Sequence, residues 1–103
     1  MHKLTVYIPL KYKEVVKSAM FKMGAGKVGN YDQCSFEVIG TGQFRPLKGS
    51  EPFIGSTDNL QKVEEARVEM IVEDSMIKDV VAAMKSAHPY ETPAYDIVKM
   101  VNL

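Results

Sequence analysis

The residues best suited to chemistry lie together near the carboxyl end of the chain, in the ten-residue segment Ala87–Asp96. This segment holds an imidazole, two phenols and two carboxylates, and Pro89 and Pro93 restrict its backbone. A plain connection between a helix and a strand needs none of these groups. The segment is therefore predicted to be a binding site.

One candidate is a metal site. His88, Glu91 and the single cysteine, Cys34, would supply one nitrogen, one oxygen and one sulfur, a set that suits zinc or copper where a fold brings them together. The alternative is structural, because His88 falls at a predicted helix C-terminus, where the helix dipole favours an imidazolium, and Cys34 would be a small buried residue in a strand. A divalent metal is thus one candidate cofactor, and both interpretations stay open.

A second candidate is a small-molecule pocket between this segment and a glycine-rich stretch upstream. Backbone amides freed by the glycines, with the charges of Arg45 and Lys48, would suit an anion. The alternative is that the same side chains only hold subunits together. The predicted ligand-binding residues are His88, Tyr90, Glu91, Tyr95, Asp96, Gly40, Gly42, Arg45 and Gly49.

Catalysis has less support in the residue pattern. Ser35 and Cys34 have no histidine close in sequence to act as a base, and Glu91 and Asp96 are not an established pair. We therefore assign no catalytic residue and predict a non-enzymatic protein.

The composition limits the class of protein. The chain has 103 residues, 46% of them hydrophobic, and its 13 basic and 13 acidic side chains cancel, so neither disorder nor nucleic-acid binding is favoured. It has no apolar run of the roughly 20 residues that cross a bilayer. With one cysteine and no apolar leader, residues 1–103 are predicted to form one soluble cytoplasmic domain.

Four segments show the pattern of strands. Alternation of apolar and polar residues predicts strands at Lys3–Pro9, from Cys34 to Ile39, at Val63–Glu73 and at Ala94–Val101. The second strand is expected to run out at Gly40–Gly42 and to fold back towards Pro46 as a hairpin arm. A long loop, Leu47–Leu60, follows and would cover a ligand or reach a neighbouring subunit.

Two segments show the 3.6-residue period of helices. The first has apolar residues from Val15 to Met23 and is expected to stop at Gly24; the second is capped by Asp74 or Ser75 and ends near His88. Gly24–Gly29 matches the dinucleotide-binding pattern, but it follows a helix instead of a strand, so we interpret it as a helix-to-strand turn.

The order of these elements predicts an α+β protein, a ferredoxin-like two-layer sandwich (βαββαβ) with an extra hairpin arm. Two helices cover only one face of its antiparallel sheet. We expect the other face to be buried against further copies of the chain. The apolar residues assigned to that face are Tyr7, Ile39, Ile71, and either Tyr95 or Ile97.

Many short motifs, in one order along nearly the whole chain, also resemble a known family. They are Gly24-Ala25-Gly26 through Gly29-Asn30-Tyr31, Cys34-Ser35-Phe36, Gly40-Thr41-Gly42-Gln43-Phe44-Arg45-Pro46, Gly49, Pro52, Gly55, Val63-Glu64, Arg67-Val68-Glu69, His88-Pro89-Tyr90-Glu91 and Pro93-Ala94-Tyr95-Asp96. Together they resemble the insert domain of the Nif-three (YqfO) family, which is itself similar to the trimeric proteins PII and CutA.

The resemblance implies a homotrimer with ligand sites between subunits. Larger family members resemble a two-halved metal-binding protein, sometimes described as a GTP cyclohydrolase type, with this domain inserted between the halves. The chain is expected to be the insert alone, so the cyclohydrolase activity does not carry over. We predict a non-enzymatic oligomeric ligand- or metal-binding regulatory protein; the alternatives are a protein-interaction module and a metal-dependent hydrolase-type enzyme.

Overall fold

The structure is a computed structural model that describes all 103 residues. It contains β1 (His2–Pro9), α1 (Lys13–Lys22), β2 (Phe36–Phe44), β3 (Gln61–Val72), α2 (Ile77–Ala87) and β4 (Tyr95–Lys99), and one 3₁₀ turn precedes each helix. The four strands form one antiparallel sheet in the order β2-β3-β1-β4. This is the predicted ferredoxin-like arrangement. Neither helix has the length and apolar character needed to cross a membrane.

The core lies between the helices and one face of the sheet. Strand β1 alternates as predicted, because Leu4, Val6 and Ile8 are fully buried there. The side chains that complete this core come from both helices, β3 and the turn after α1: Val16, Met20, Ala25, Ala66, Val68, Met70, Val72, Val80 and Met84. Burial of these side chains holds the two layers together.

The strand register corrects part of the predicted open face. Directly opposed residues of an antiparallel pair share a face. Tyr95 lies opposite Val6 and Ile97 opposite Leu4, so both belong to the helix-covered face. Ile39 lies opposite the buried Ala66 and belongs there too, although it is 62% exposed. The apolar residues that do share the open face are Tyr7, Phe36, Val38, Ile71 and Val98.

The predicted fold-back at Gly40–Gly42 is wrong. Both glycines lie inside β2, where Gly40 pairs with Glu65 and Gly42 with Val63. Strand β1 ends at the level of Glu65, and beyond it β2 and β3 continue as a two-stranded arm. The loop at the tip of the arm, residues 45–60, contains no helix or strand and joins the two strands.

The turn after α1 has the predicted structural role. The Gly26 N–H donates to the Ile71 carbonyl at 2.8 Å, and the Cys34 N–H donates to the Gly26 carbonyl at 2.9 Å, which ties the turn to β3.

The predicted side-chain cap of α2 is absent. Asp74 instead places its carboxylate 2.8 Å from both the amino terminus and His2 Nδ1.

Candidate functional site

His88 joins the end of α2 to strand β1. Its side chain is buried, and Nε2 lies 2.8 Å from the Tyr7 carbonyl oxygen while Nδ1 lies 3.1 Å from the Tyr90 backbone nitrogen. Because a backbone N–H can only donate, Nδ1 is the acceptor, and the ring proton sits on Nε2 and is donated to Tyr7. His88 is therefore a neutral imidazole with both nitrogens engaged inside the protein, which differs from the predicted imidazolium.

The burial of His88 makes stability depend on pH. Desolvation lowers the pKa of His88, and the bonds to Tyr7 and the charge of Glu65 only partly oppose it. The unfolded chain then binds a proton more readily than the folded one. The free energy of unfolding is expected to be highest above pH about 6.5 and to fall, by at most about 1.4 kcal/mol per pH unit, as the pH drops towards the folded-state pKa. Thermal unfolding at a series of pH values measures this slope.

His88→Gln is the control for that slope, because its amide does not titrate. Two carboxylates with shifted pKa values do not contribute to this slope. A hydrogen bond to Lys13 is the main cause that lowers the pKa of Glu37, and a hydrogen bond to the N-terminal amino group is the main cause for Asp74. Both carboxylates therefore change charge only in more acidic solution. A slope between pH 5 and 6.5 that is the same in His88→Gln as in the wild type would contradict the assignment.

Tyr90 follows His88 and carries a buried hydroxyl. Its ring centroid lies 5.1 Å from that of His88 and 5.8 Å from that of Phe44. The Tyr90 hydroxyl is shielded from solvent, lies beside the Glu65 carboxylate and makes no hydrogen bond of good geometry. Burial, followed by the negative charge of Glu65 and a weak hydrogen bond towards its carboxylate, raises the pKa of Tyr90 to about 12, so the phenol keeps its proton at neutral pH.

A cavity of about 250 Å³ that is open to solvent on one side lies beside Tyr90, lined by β1, the arm, the loop 45–60 and the segment after α2. We call it the Tyr90 cavity. Its aromatic lining consists of Tyr7, Phe44, Phe53 and Tyr90. The acidic lining residues are Glu65 and Glu91, and no lysine, arginine or histidine lines the cavity.

The loop 45–60 is attached to the site at several points. The Glu51 N–H donates to Glu91 Oε2 at 2.8 Å, and Phe53 packs edge-on against Tyr12 with ring centroids 5.3 Å apart. The Asp58 N–H donates to the Pro46 carbonyl at 2.7 Å, which draws the two ends of the loop together. These contacts hold the loop over the Tyr90 cavity.

Gly42 gives Glu65 its position in the cavity wall. A methyl group built on Gly42 would overlap the Glu65 carboxylate, whereas one built on Gly40 would meet no atom within 4 Å. The carboxylate therefore occupies space that only glycine leaves free at position 42.

The structure brings together some of the predicted ligand-binding residues. Tyr90 and Glu91 line the Tyr90 cavity. The His88 ring packs beside the Tyr90 ring, and Gly42 leaves space for the Glu65 carboxylate. The remaining five residues do not line it: Tyr95, Asp96, Gly40, Arg45 and Gly49.

These five residues have other surroundings. Tyr95 packs on the helix-covered face, where Lys85 Nζ lies 5.2 Å from its ring centroid, and Asp96 lies opposite Thr5 on the open face. Gly40 lies in β2 and pairs with Glu65 of β3, and Arg45 and Gly49 are exposed in the loop. The predicted anion-binding set of freed amides and basic side chains is thus not assembled at this cavity.

The predicted metal set is not assembled either. Cys34 lines a different cavity, of about 260 Å³, together with Lys3 and Phe36. Lys3 and Tyr7 are four residues apart on β1, which separates the two sites by roughly 13 Å along the strand. No group of three or more His, Cys, Asp or Glu side chains is arranged to hold a metal ion, and both nitrogens of His88 are already engaged.

Eleven of the thirteen lining residues are absent from the predicted ligand-binding set, among them Tyr7, Phe44, Phe53 and Glu65. The sequence pattern places Tyr7 on the open face of the sheet, without a role in binding. Phe44 falls in the predicted hairpin arm and Phe53 in the predicted long loop. Glu65 had a usable signal, because alternation along β3 places it on the open face opposite Gly40.

No protein-family model matches the chain. The GTP cyclohydrolase 1 type 2 homolog of Halalkalibacterium halodurans is 44% identical over 102 residues, which are 99% of this chain and 27% of that protein. A solved Bacillus cereus protein related to NIF3 superposes with a TM-score of 0.84 at 40% identity, over 98% of this chain and 26% of that one. The chain thus spans about a quarter of the length of these relatives.

The same fold also occurs in proteins with low sequence identity to this chain. The PII-like protein CutA from Nostoc superposes with a TM-score of 0.68 at 14% identity, over 97% of this chain and 81% of that one, which shows a shared fold. Both parts of the predicted resemblance are confirmed: over nearly its whole length this chain is homologous to one segment of the larger Nif-three (YqfO) family proteins, and it has the ferredoxin-like fold of the PII-like CutA proteins.

Proposed function

We propose that this chain is a non-enzymatic regulatory domain that binds a small ligand in the Tyr90 cavity. The observation that carries this proposal is the Tyr90 cavity itself, whose lining includes Tyr90, a residue whose buried hydroxyl lies beside the Glu65 carboxylate and makes no hydrogen bond of good geometry. A buried polar group left unpaired costs about 1–3 kcal/mol, and a ligand that bonds to it recovers that free energy. The cavity also combines apolar walls with a few polar groups, which is the usual composition of a ligand pocket.

The loop 45–60 supports the same proposal. It has no helix or strand, and a single hydrogen bond, from Glu51 to Glu91, connects it to the segment after α2. The opposite wall is formed by paired strands and by Tyr90, whose backbone is fixed to His88. A ligand would therefore meet one adjustable wall, the loop, and a base that keeps its shape.

The active form in this proposal is a homo-oligomer, a trimer, in the cytoplasm. Phe36 is 64% exposed and Val98 is 54% exposed on the uncovered face of the sheet, so further copies of the chain would bury apolar surface there. A protein with one cysteine needs no oxidising compartment to fold, which favours the cytoplasm.

Thermal-shift screening with a matched pair of glycine variants tests ligand binding. Nucleotides, amines, carboxylic acids and sugars are screened at millimolar concentration, and at least one is expected to stabilise the wild type. A ligand at 100 times its Kd adds about 2.7 kcal/mol of stability, which corresponds to a shift of several degrees in Tm. The shift is expected to disappear in Gly42→Ala, which displaces Glu65, and to persist in Gly40→Ala. A complete absence of stabilisers would contradict the proposal.

A second candidate is a protein-interaction module, and the exposed apolar residues Phe36, Val38 and Val98 favour it. This candidate uses the open face and does not need the Tyr90 cavity. It would be preferred if no compound stabilised the wild type and if a protein partner bound Gly42→Ala and Gly40→Ala equally well.

A further inference from the structure

We propose that the Tyr90 cavity binds an organic cation that carries N–H donors, a primary or secondary alkylammonium such as a diamine. This inference rests on the proposed function above and names the ligand class of the same cavity. Three features of the lining carry it: its charge, its aromatic side chains and the state of the Tyr90 hydroxyl.

The charge of the lining is negative. Glu65 and Glu91 supply two carboxylates, and none of the lining residues is basic. Arg45 and Lys48, although they belong to the loop 45–60, do not line the cavity. A cation entering this space is attracted by both carboxylates, whereas an anion is repelled and finds no basic partner.

The two carboxylates have different contacts. Glu91 Oε2 already accepts the Glu51 N–H, so part of its capacity holds the loop in place. Glu65 is partly buried over Gly42 and is not among the carboxylates that form an ion pair with a basic side chain. Glu65 is therefore the main charge partner available to a ligand, and Glu91 couples ligand binding to the position of the loop.

The aromatic walls favour the same ligand class. Phe44 and Tyr90 meet at an interplanar angle of 61°, so they present ring faces in different directions, and Tyr7 and Phe53 add two more rings. Cations bind favourably over aromatic faces. The methylene groups of an alkylammonium would also be buried against the rings and against Pro46 and Pro52, which line the same space.

The Tyr90 hydroxyl distinguishes between kinds of cation. It keeps its proton at neutral pH and directs it towards the neighbouring Glu65 carboxylate, so its oxygen lone pairs are free to accept a hydrogen bond. A primary ammonium has N–H groups to donate, whereas a quaternary ammonium has none. The cavity should therefore prefer the primary ammonium even though both cations carry the same charge.

Isothermal titration calorimetry with four five-carbon probes tests this inference on the full chain at fixed ionic strength. The probes are 1,5-diaminopentane, its bis-trimethylammonium analogue, 1,5-pentanediol and pentanedioate. The diamine is expected to bind tightest, the bis-quaternary analogue about tenfold more weakly, and the diol and the dicarboxylate not measurably.

Three variants assign the contacts. Glu65→Gln is expected to weaken diamine binding by about tenfold or more, while Glu64→Gln, the same charge change on an exposed neighbour that does not line the cavity, should leave it unchanged. Tyr90→Phe should weaken the diamine and leave the bis-quaternary analogue unaffected, because only the diamine donates to the hydroxyl.

The outcomes separate this inference from the proposed function. If the diol or the dicarboxylate binds as tightly as the diamine, the ligand class is wrong and the cavity remains a binding site. If Glu64→Gln weakens binding as much as Glu65→Gln, the attraction comes from general surface charge and the inference fails. If no probe binds, the inference also fails, and the wider thermal-shift screen decides independently whether the cavity binds another class.

Discussion

His88→Ala is expected to lower the free energy of unfolding by about 3 kcal/mol, because it removes a buried side chain and two internal hydrogen bonds. The variant would leave the Tyr7 carbonyl and the Tyr90 N–H without their present partner. It would also leave a space behind the Tyr90 ring, which now packs beside the imidazole. Urea unfolding followed by circular dichroism measures the loss.

The other histidine provides the control. His2 is partly exposed and contacts the exposed carboxylate of Asp74, so His2→Ala should cost no more than about 1 kcal/mol. Equal losses for the two variants would show that His88 does not anchor the site. His88→Ala is also expected to weaken any ligand of the Tyr90 cavity, since the backbone of Tyr90 would no longer be fixed.

Gly26→Ala is expected to destabilise the fold by about 2–4 kcal/mol, through the strain of a left-handed backbone and a steric overlap that cannot relax. Gly26 has a φ of +77°, and a methyl group there would lie 2.6 Å from the carbonyl oxygen and 2.8 Å from the nitrogen of Cys34. Both neighbouring atoms belong to the backbone, so no side-chain rotation relieves the overlap.

Gly29→Ala separates the two contributions. Gly29 has a φ of +57°, but a methyl group there would meet no atom within 4 Å, so only the backbone strain of about 1–2 kcal/mol applies. Denaturant unfolding of both variants gives the difference. If Gly26→Ala were no more destabilising than Gly29→Ala, the close packing of this turn against Cys34 would be wrong.

Much of the fold could be predicted from local patterns. Alternation in β1 and the helical period of α1 and α2 identify elements that bury apolar side chains in the core, although Val15 and Met23, at the two ends of the predicted apolar side of α1, are exposed. Strand β4 was harder, because Ile97 and Val98 put apolar residues on both of its sides. Only the pairing of Ile97 with Leu4 decides which side meets the helices, and that pairing is a tertiary property.

The candidate site was only partly predictable, for a similar reason. The segment after α2 was recognisable from its prolines, tyrosines and carboxylates, and Tyr90 and Glu91 do line the cavity. Its other wall comes from residues distant in sequence, Tyr7, Phe53 and Glu65. The glycines of β2 favoured a turn on local grounds, whereas Gly42 lies in the strand and makes room for the carboxylate of Glu65.

The central claim is that a ligand binds where the loop 45–60 meets the segment after α2. Two-dimensional NMR of the isotopically labelled chain, with and without the strongest stabiliser from the thermal-shift screen, tests it most directly. The claim predicts chemical-shift changes concentrated at Phe44, Glu51, Phe53, Tyr90 and Glu91. Changes concentrated around Cys34 and Phe36 instead, with the Tyr90 region unaltered, would contradict it.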